Sequence, residues 1–252
     1  MKTFKNLFLP VLLLVTSAVC AQQTETRKIS GFTKLDIGGS FEAVLQHGTE
    51  SSVKITTENV DPQRVITKSD GNTLKIYLEN GDYHNIKVKV LVTYASLSAI
   101  NKSGSGNLTC ESDLSSSDFD LSSSGSGNII IKGKIKAANQ ASIKRDGSGN
   151  MSLVGLEAST IHMSFSGSGN FEVNNGNAKT QTIHLSGSGN VSAYGLKTET
   201  CSASVSGSGN IEVYVSDSID AEIVGSGNIN YRGDGHVKTI EIHGSGKINK
   251  EG

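Results

Sequence analysis

Two tyrosines and an arginine near the end of the chain have the types and spacing of a carbohydrate-binding surface. Tyr194 and Tyr214 each follow, by four residues, the Asn of a repeated SGSGN pentapeptide, and Arg232 holds the same place after the next copy, VGSGN. If the copies stack, the phenol rings form a column on the outer side, where a sugar ring could lie against their apolar faces. The same column could instead be an aromatic ladder that stiffens a sheet. Tyr194, Tyr214 and Arg232 are therefore candidate ligand-binding residues.

A second candidate centre is the segment IKRDGSGN, which places Arg145 where other copies carry mostly apolar residues and Asp146 where they carry mostly Ser. A buried guanidinium must be paired, so we expect Arg145 to bind Asp146 or backbone carbonyls at the neighbouring turn. A polysaccharide-binding or polysaccharide-cleaving site near Arg145 is the alternative. Cleavage would need acids and cations clustered on one outer face, often with calcium, whereas the outward positions are mostly Ser and Thr.

Other chemistry finds little support in the sequence. His162 and His184 are predicted to point outward from adjacent units, two columns apart and without further metal ligands nearby. No G-x-S-x-G segment has a His and an Asp placed to activate its Ser. We predict that the protein is not an enzyme, with no catalytic residue, no metal site and no cofactor.

The elements that position these residues follow from the repeat itself. The Asn recurs at steps of 18 to 22 residues, with Lys247 in the last slot. A period near 20 indicates a stacked structural unit. The repeated turn residues are Gly104, Asn107, Gly125, Asn128, Gly147, Asn150, Gly167, Asn170, Gly187, Asn190, Gly207, Asn210, Gly225 and Asn228.

Apolar and polar residues alternate on both sides of each turn. One residue after the Asn the copies carry Leu108, Ile129, Met151, Phe171, Val191, Ile211, Ile229 and Ile248. Alternation of this kind predicts a strand with one buried face, so each unit holds two short strands and a looser closing turn. Stacking of the units predicts an all-β fold, a parallel β-solenoid that is right-handed if the usual crossover preference extends to it.

The pentapeptide itself suits a tight corner between two strands. Gly adopts positive φ angles without a steric clash, and stacked Asn side chains can hydrogen-bond along the column. This structural role is favoured over a ligand-binding rim. Phosphate-binding loops and calcium-binding nonapeptides are excluded by spacing.

Residues 22–98 are less regular than the repeats in 99–252. The segment DIGGSFEAV at 36–44 echoes a repeat, with Ser40 in the Asn slot. Strands are predicted at 75–78 and 86–94, and a short helix at 60–65. We expect these residues to form irregular β coils that cap the solenoid, since an open end would recruit other strands.

Composition and the first residues bear on localisation. The formal net charge is −1 with 5% aromatic residues, which excludes the basic, aromatic-rich groove of a nucleic-acid-binding protein. Residues 1–21 read as a secretory signal peptide, and no later segment is apolar enough to span a membrane. Lipidation of Cys20 is less favoured, because Val19 precedes it. We predict export to the periplasm, the outer-membrane surface or the medium.

The two remaining cysteines provide a test of the stacking. Cys110 and Cys201 fall in units four apart, about 19 Å at the spacing of parallel strands. A disulfide spans at most about 7 Å between α-carbons. Both are predicted to be free and buried.

The serial GSG turns, the apolar residue after each, and the segment GFTKLDIGGSFEAVLQHG resemble the putative auto-transporter adhesins of Bacteroidetes that contain a head GIN domain. The resemblance extends from about Ser30 to the end of the chain. It implies an exported β-helix grouped with adhesins and without assigned catalytic residues. We therefore favour a non-enzymatic envelope or surface protein that presents polar columns to an unknown glycan or protein partner. The alternative is a structural module of the periplasm that binds no ligand. The sequence does not indicate an oligomeric state.

Overall fold

The computed structural model describes residues 22–252, so the predicted signal peptide and Cys20 lie outside the described residues. Within this range the chain consists almost entirely of strands. They are β1 Gln23–Lys28, β2 Lys34–Gly38, β3 Glu42–His47, β4 Ser52–Glu58, β5 Val65–Asp70, β6 Thr73–Leu78, β7 Lys87–Tyr94, β8 Ala99–Ser103, β9 Leu108–Cys110, β10 Leu114–Gly125, β11 Ile129–Gly147, β12 Met151–Glu157, β13 Thr160–Gly167, β14 Phe171–Val173, β15 Gly176–Gly187, β16 Val191–Gly207, β17 Asn210–Gly225, β18 Asn228–Arg232, β19 His236–Gly244 and β20 Ile248–Lys250.

Successive coils stack in parallel with equivalent residues in register. Phe171 pairs with Val191, and Val191 pairs with Ile211. On the other side of the corner, Met163 pairs with Ile183 in the next coil. The predicted parallel β-solenoid with coils of about 20 residues is therefore confirmed, and residues of one column contact each other in adjacent coils.

The core is formed by the inward columns of these strands. Phe171, Val191 and Ile211 are at most 1% exposed, as are the inward residues on the far side of the corner, such as Met163 and Ile183. Burial of one such side chain contributes about 1.5–3 kcal/mol. No coil could bury these residues alone, so each coil depends on its neighbours for a core.

Before residue 99, β2 and β3 continue the parallel stack from β8 and β9 to β6 and β7, and antiparallel strands are added beyond them. β4 pairs antiparallel with both β1 and β7, and β5 with β6. A 3-10 helix at Pro62–Arg64 begins after Asp61, whose side chain accepts a hydrogen bond from the Gln63 N–H. The predicted strands at 75–78 and 86–94 and the short helix are confirmed.

The alignment of the degenerate coil was wrong by two residues. Ala43, rather than Phe41, pairs with Leu108, and Gly38 lies opposite Ser103. Glu42 rather than Ser40 therefore stands in the Asn slot, next to Asn107. A shift of two residues keeps every side chain on its face of the sheet, so the pattern of buried positions could not reveal it.

The bend that closes each coil also differs from the loose turn predicted. Strands β11, β16 and β17 run through it, because residues such as Lys136 and Glu157 pair across neighbouring coils there. Register shifts accumulate at this bend. Coil lengths of 18 to 22 residues are thus accommodated away from the GSGN corner.

Two further predictions can be checked in the described residues. Cys110 and Cys201 are free and buried, as the coil spacing predicts. Burial raises the pKa of the Cys201 thiol to about 12, which disfavours the reactive thiolate. No helix within residues 22–252 has the length and apolar character needed to cross a membrane.

Candidate functional site

The GSGN corners form a column of glycines in which backbone packs directly on backbone. Gly187 has a φ of 120°, and a Cβ there would overlap the carbonyl oxygen of Gly167 in the coil below. A Cβ on Gly189 would overlap the carbonyl oxygen of Gly169 in the same way. Both glycines of the motif are therefore needed for close approach, and the first also for its left-handed backbone.

The Asn side chains form a continuous ladder along this edge. The Oδ1 of Asn170 accepts hydrogen bonds from the backbone N–H and the side-chain amide of Asn190, at 3.0 and 3.2 Å. The same backbone contact recurs in each coil from Asn107 to Asn228, whose Oδ1 accepts from the Lys247 N–H at 3.1 Å. Each Asn thus satisfies a backbone donor that the corner would otherwise leave to solvent.

Tyr194 and Arg232 come together at the C-terminal end of the solenoid. The Arg232 guanidinium lies 4.0 Å from the centroid of the Tyr194 ring, and both side chains contact Glu251. The Tyr194 hydroxyl donates to Glu251 Oε2 at 2.8 Å, and Arg232 Nη2 donates to the same oxygen at 3.0 Å. Burial and the hydrogen bond to Glu251 raise the pKa of Tyr194, whereas the hydrogen bond from Tyr194 lowers the pKa of Glu251.

Tyr214 is separated from this cluster, so the predicted column of two tyrosines was wrong. Tyr214 pairs with Lys197 in the preceding coil, because the register shifts between Ala193 and Lys197. Tyr194 lies within that irregularity. Arg232 does pair with Tyr214 of the preceding coil, as expected, but its guanidinium lies over the Tyr194 ring. The Lys197 Nζ lies 6.0 Å from the Tyr214 ring centroid.

Tyr214 lines instead an open groove along the closing bend, which we call the bend groove. Its volume is about 760 Å³. Three columns of residues form it, two rims and a floor between them. The first rim consists of Ser115, Lys136, Glu157, Asn177, Lys197 and Tyr214. The floor consists of Ser116, Ala137, Ala158, Ala178 and Thr198, and the second rim of Ala138, Ser159, Lys179, Glu199 and Ser216. A second depression of about 510 Å³ shares Ser115 with it and continues toward His47 and Tyr94.

Apart from Tyr214, none of the residues that line the bend groove was predicted from the sequence to bind a ligand. Its floor is marked in the sequence by a small residue eight or nine positions after the Asn, at Ala137, Ala158, Ala178 and Thr198. This recurrence was a usable signal, because a small side chain at a bend leaves an external notch. The rims carry no motif, so their composition alone could not have identified them.

Arg145 lies in the interior rather than on an outer face. Its side chain is 3% exposed, and Nη1 donates to the carbonyl of Gly149 at 3.0 Å. The expected contact with corner carbonyls is confirmed, whereas Asp146 is exposed. Nε and Nη2 have no hydrogen-bond partner within residues 22–252, and burial lowers the pKa of the guanidinium. A guanidinium in this position cannot contact a polymer bound outside.

Lys102 is the other buried cation of the same interior column. It is 3% exposed, and its Nζ donates to the carbonyl of Gly104 at 2.9 Å. Burial lowers the pKa of Lys102. Both cations therefore use corner carbonyls as their hydrogen-bond acceptors.

The histidines singled out in the sequence are exposed on the outer face. His162 pairs with Ser142 and Thr182, and His184 with Ser164 and Ser204. Within residues 22–252 no group of three or more His, Cys, Asp or Glu side chains is placed to hold a metal ion.

Comparison with known proteins identifies similar sequences and folds. The family described as "Putative auto-transporter adhesin, head GIN domain" matches residues 31–139 and again 131–235. No curated protein matches the chain significantly.

Solved structures of similar proteins extend over almost the whole chain. A putative adhesin from Parabacteroides merdae has a TM-score of 0.87 at 21% identity, covering 92% of this chain and 96% of its own. A putative adhesin from Parabacteroides distasonis has a TM-score of 0.84 at 24% identity, with coverages of 92% and 97%. A protein from the same species described as a putative lipid binding protein has a TM-score of 0.82 at 27% identity, also with 92% and 97%.

Proposed function

We propose, from the premise that this chain belongs to the putative auto-transporter adhesin family with a head GIN domain, that it is an exported, non-enzymatic adhesin-like protein. Its solenoid presents a long side surface to a glycan or protein partner outside the cytoplasm. The observation that carries this proposal is the bend groove, an open channel of about 760 Å³ that crosses several coils. Ligand-binding sites are usually concave, with a few polar groups placed along apolar walls.

The groups that could have supported catalysis are engaged elsewhere, which favours binding over chemistry. Arg145 is enclosed in the core, and the Tyr194 hydroxyl and the Arg232 guanidinium are both committed to Glu251. The bend groove carries hydroxyl, amide and ammonium groups, which can hold a ligand through hydrogen bonds. Such groups suit recognition of a partner that is not transformed.

Of the three predicted ligand-binding residues, Tyr214 is the one placed to contact a partner in the groove. Its half-buried ring forms part of one rim. Tyr194 and Arg232 are assigned instead to holding the C-terminal coil through Glu251. This division separates a binding tyrosine from a structural one, and the two can be tested side by side.

The test is binding of residues 22–252 to glycan and matrix-protein arrays. We expect specific binding to at least one ligand class, reduced by Tyr214→Ala and retained by Tyr194→Ala. Circular dichroism of both variants controls for unfolding. Absence of binding to every arrayed glycan and protein would contradict the proposed function.

A further inference from the structure

We propose that the bend groove binds a linear, negatively charged polysaccharide that lies parallel to the solenoid axis. This inference rests on the proposed function and specifies its ligand class. The groove crosses the coils from Ser115 to Tyr214 in five register steps. At about 4.8 Å per step its length is about 24 Å, so an extended polymer fits it better than a compact ligand.

The direction of the groove disfavours an extended peptide. A peptide strand gains affinity by pairing its backbone with the open edge of a sheet. In the groove, however, the strands run across the ligand path, and neighbouring coils already pair there, as Lys136 does with Glu157 and Asn177 with Lys197. An occupant therefore meets side chains, and must be recognised by its own hydroxyl and acidic groups.

The width of the groove is set by its floor. Ala137, Ala158 and Ala178 are only 5–8% exposed, and each presents no more than a methyl group to the channel. Polar side chains stand on the two rims, where Asn177 offers an amide group. The hydroxyls of Ser159 and Ser216 donate to backbone carbonyls and can still accept hydrogen bonds. A largely apolar floor between polar walls is suited to a chain of sugar rings, which have apolar faces and polar edges.

The charges along the rims favour an acidic polymer. Lys136, Lys179 and Lys197 have no carboxylate within ion-pair distance in residues 22–252. Of the two glutamates in the lining, Glu157 has an oxygen 3.7 Å from the Nζ of Lys134, which leaves Glu199 as the unpaired acid. With Lys134 beside Glu157, four cations stand against two anions at the groove, on a chain whose formal net charge is −1.

The lysines are spaced along the channel rather than gathered at one point. Lys136 and Lys197 stand three coils apart on the same rim, about 14 Å, and Lys179 lies on the opposite rim between them. A polymer with repeated carboxylates can meet all three at once. Tyr214 closes the C-terminal end of this rim, where its ring can lie against a terminal sugar.

The experiment compares a charged polysaccharide with its neutral form. Residues 22–252 are titrated by isothermal calorimetry with polygalacturonate and with the same polymer fully methyl-esterified. We expect at least a roughly tenfold weaker affinity for the esterified polymer, and an affinity for polygalacturonate that falls as salt is raised.

Two groove variants locate the contact. Lys136→Glu combined with Lys197→Glu should weaken polygalacturonate binding by roughly tenfold, since each reversal replaces an attraction by a repulsion. Ala138→Trp, at an exposed position on the rim, should weaken it by obstructing the channel. The matched control is Lys144→Glu combined with Lys54→Glu, two exposed lysines outside the groove, which should leave affinity within about twofold.

Three results would overturn the inference. Equal affinity for the charged and esterified polymers would remove the role of charge. Equal loss of binding in the groove and control variants would indicate nonspecific attraction. Tight, groove-dependent binding of polyglutamate at the affinity of polygalacturonate would show that acidic peptide serves as well as sugar. The proposed function survives each of these results if the arrays identify another ligand, and fails only if they identify none.

Discussion

The coils after residue 98 are held together by contacts between like residues, whereas residues 22–98 are held by contacts between unlike ones. Along the repeat, Gly packs on Gly and Asn hydrogen-bonds to Asn in the next coil. In the first region, Glu42 occupies the Asn slot and its carboxylate lies 3.3 Å from Lys89 Nζ. The comparison teaches where repetition is required: the sequence must repeat where one glycine corner lies directly on its own copy, and is free to vary where parallel neighbours such as β3 and β7 contact each other through side chains.

The largest expected effect comes from adding one methyl group to the glycine column. Gly189→Ala should lower the free energy of unfolding by about 3–4 kcal/mol, because the new Cβ would overlap the Gly169 carbonyl and the coils would have to separate. Gly71→Ala, in the β5–β6 hairpin, should cost only about 1–2 kcal/mol, because its φ of 59° is unfavourable but nothing lies within 4 Å of the new Cβ. Urea denaturation measures both. Equal losses would remove the distinction between the two regions.

The next prediction is a gain in stability, and it concerns Arg145, a charged residue in an inward column that is mostly apolar. Arg145→Met should raise the free energy of unfolding by about 1–3 kcal/mol, since it removes a buried charge whose Nε and Nη2 have no hydrogen-bond partner in residues 22–252 and whose contact with the Phe165 ring, 5.5 Å from the centroid, only partly offsets its burial. Its column neighbours include Phe165, so a similar apolar volume fits there. Lys144→Met, at the exposed neighbouring position, should change stability by less than about 0.5 kcal/mol. A loss of stability in Arg145→Met would contradict this account.

The Asn ladder gives a smaller difference between the regions. Asn170→Ala removes the acceptor for the Asn190 backbone N–H and should lower the free energy of unfolding by about 1 kcal/mol, because water can replace the lost bond only in part. Glu42→Ala, at the equivalent place before the repeats, removes only an exposed ion pair and should change it by about 0–1 kcal/mol. Chemical denaturation of Asn170→Asp, which keeps the acceptor oxygens, is the control that separates loss of the bond from loss of packing.

The smallest expected effect is a pH dependence at the two ends of the stack of strands, the C-terminal coil and the β5–β6 hairpin. Hydrogen bonds from Tyr194 and Arg232 lower the pKa of Glu251, and one from Lys75 lowers that of Asp70. A lowered folded-state pKa stabilises the protein above the ordinary value, about 4.3 for Glu and 3.9 for Asp. That contribution is lost as pH falls through the lower folded-state value.

Amide NMR shifts should therefore change at both ends below about pH 4, near Ile248–Lys250 and in the β5–β6 hairpin. Glu251→Gln should abolish the change at the C-terminal end and leave the hairpin titration intact. A titration confined to the middle of the solenoid would contradict this assignment.

The fold was predictable from the sequence because the columns recur at the corner, where coil-to-coil contact is closest. An alignment on the Asn correctly placed Phe171, Val191 and Ile211 on top of one another. It failed for Tyr194 and Tyr214, because the coil from Asn210 to Asn228 is shortened at the closing bend and has no counterpart of Tyr194. An alignment on the corner does not reveal where within a coil the residues are missing. The proposed binding surface was harder to predict for the same reason, since the bend groove lies where the register shifts.

The Asn ladder also makes the solenoid extensible. Every rung has the same polarity, with the N–H of the later coil donating to the Oδ1 of the earlier one. A coil inserted between two others would accept a hydrogen bond from the corner N–H of the later coil and donate its own N–H to the Oδ1 of the earlier coil, leaving no corner amide without a partner. Duplication of segments of about 20 residues can therefore lengthen such a solenoid one coil at a time, by about 4.8 Å, without redesign of either end.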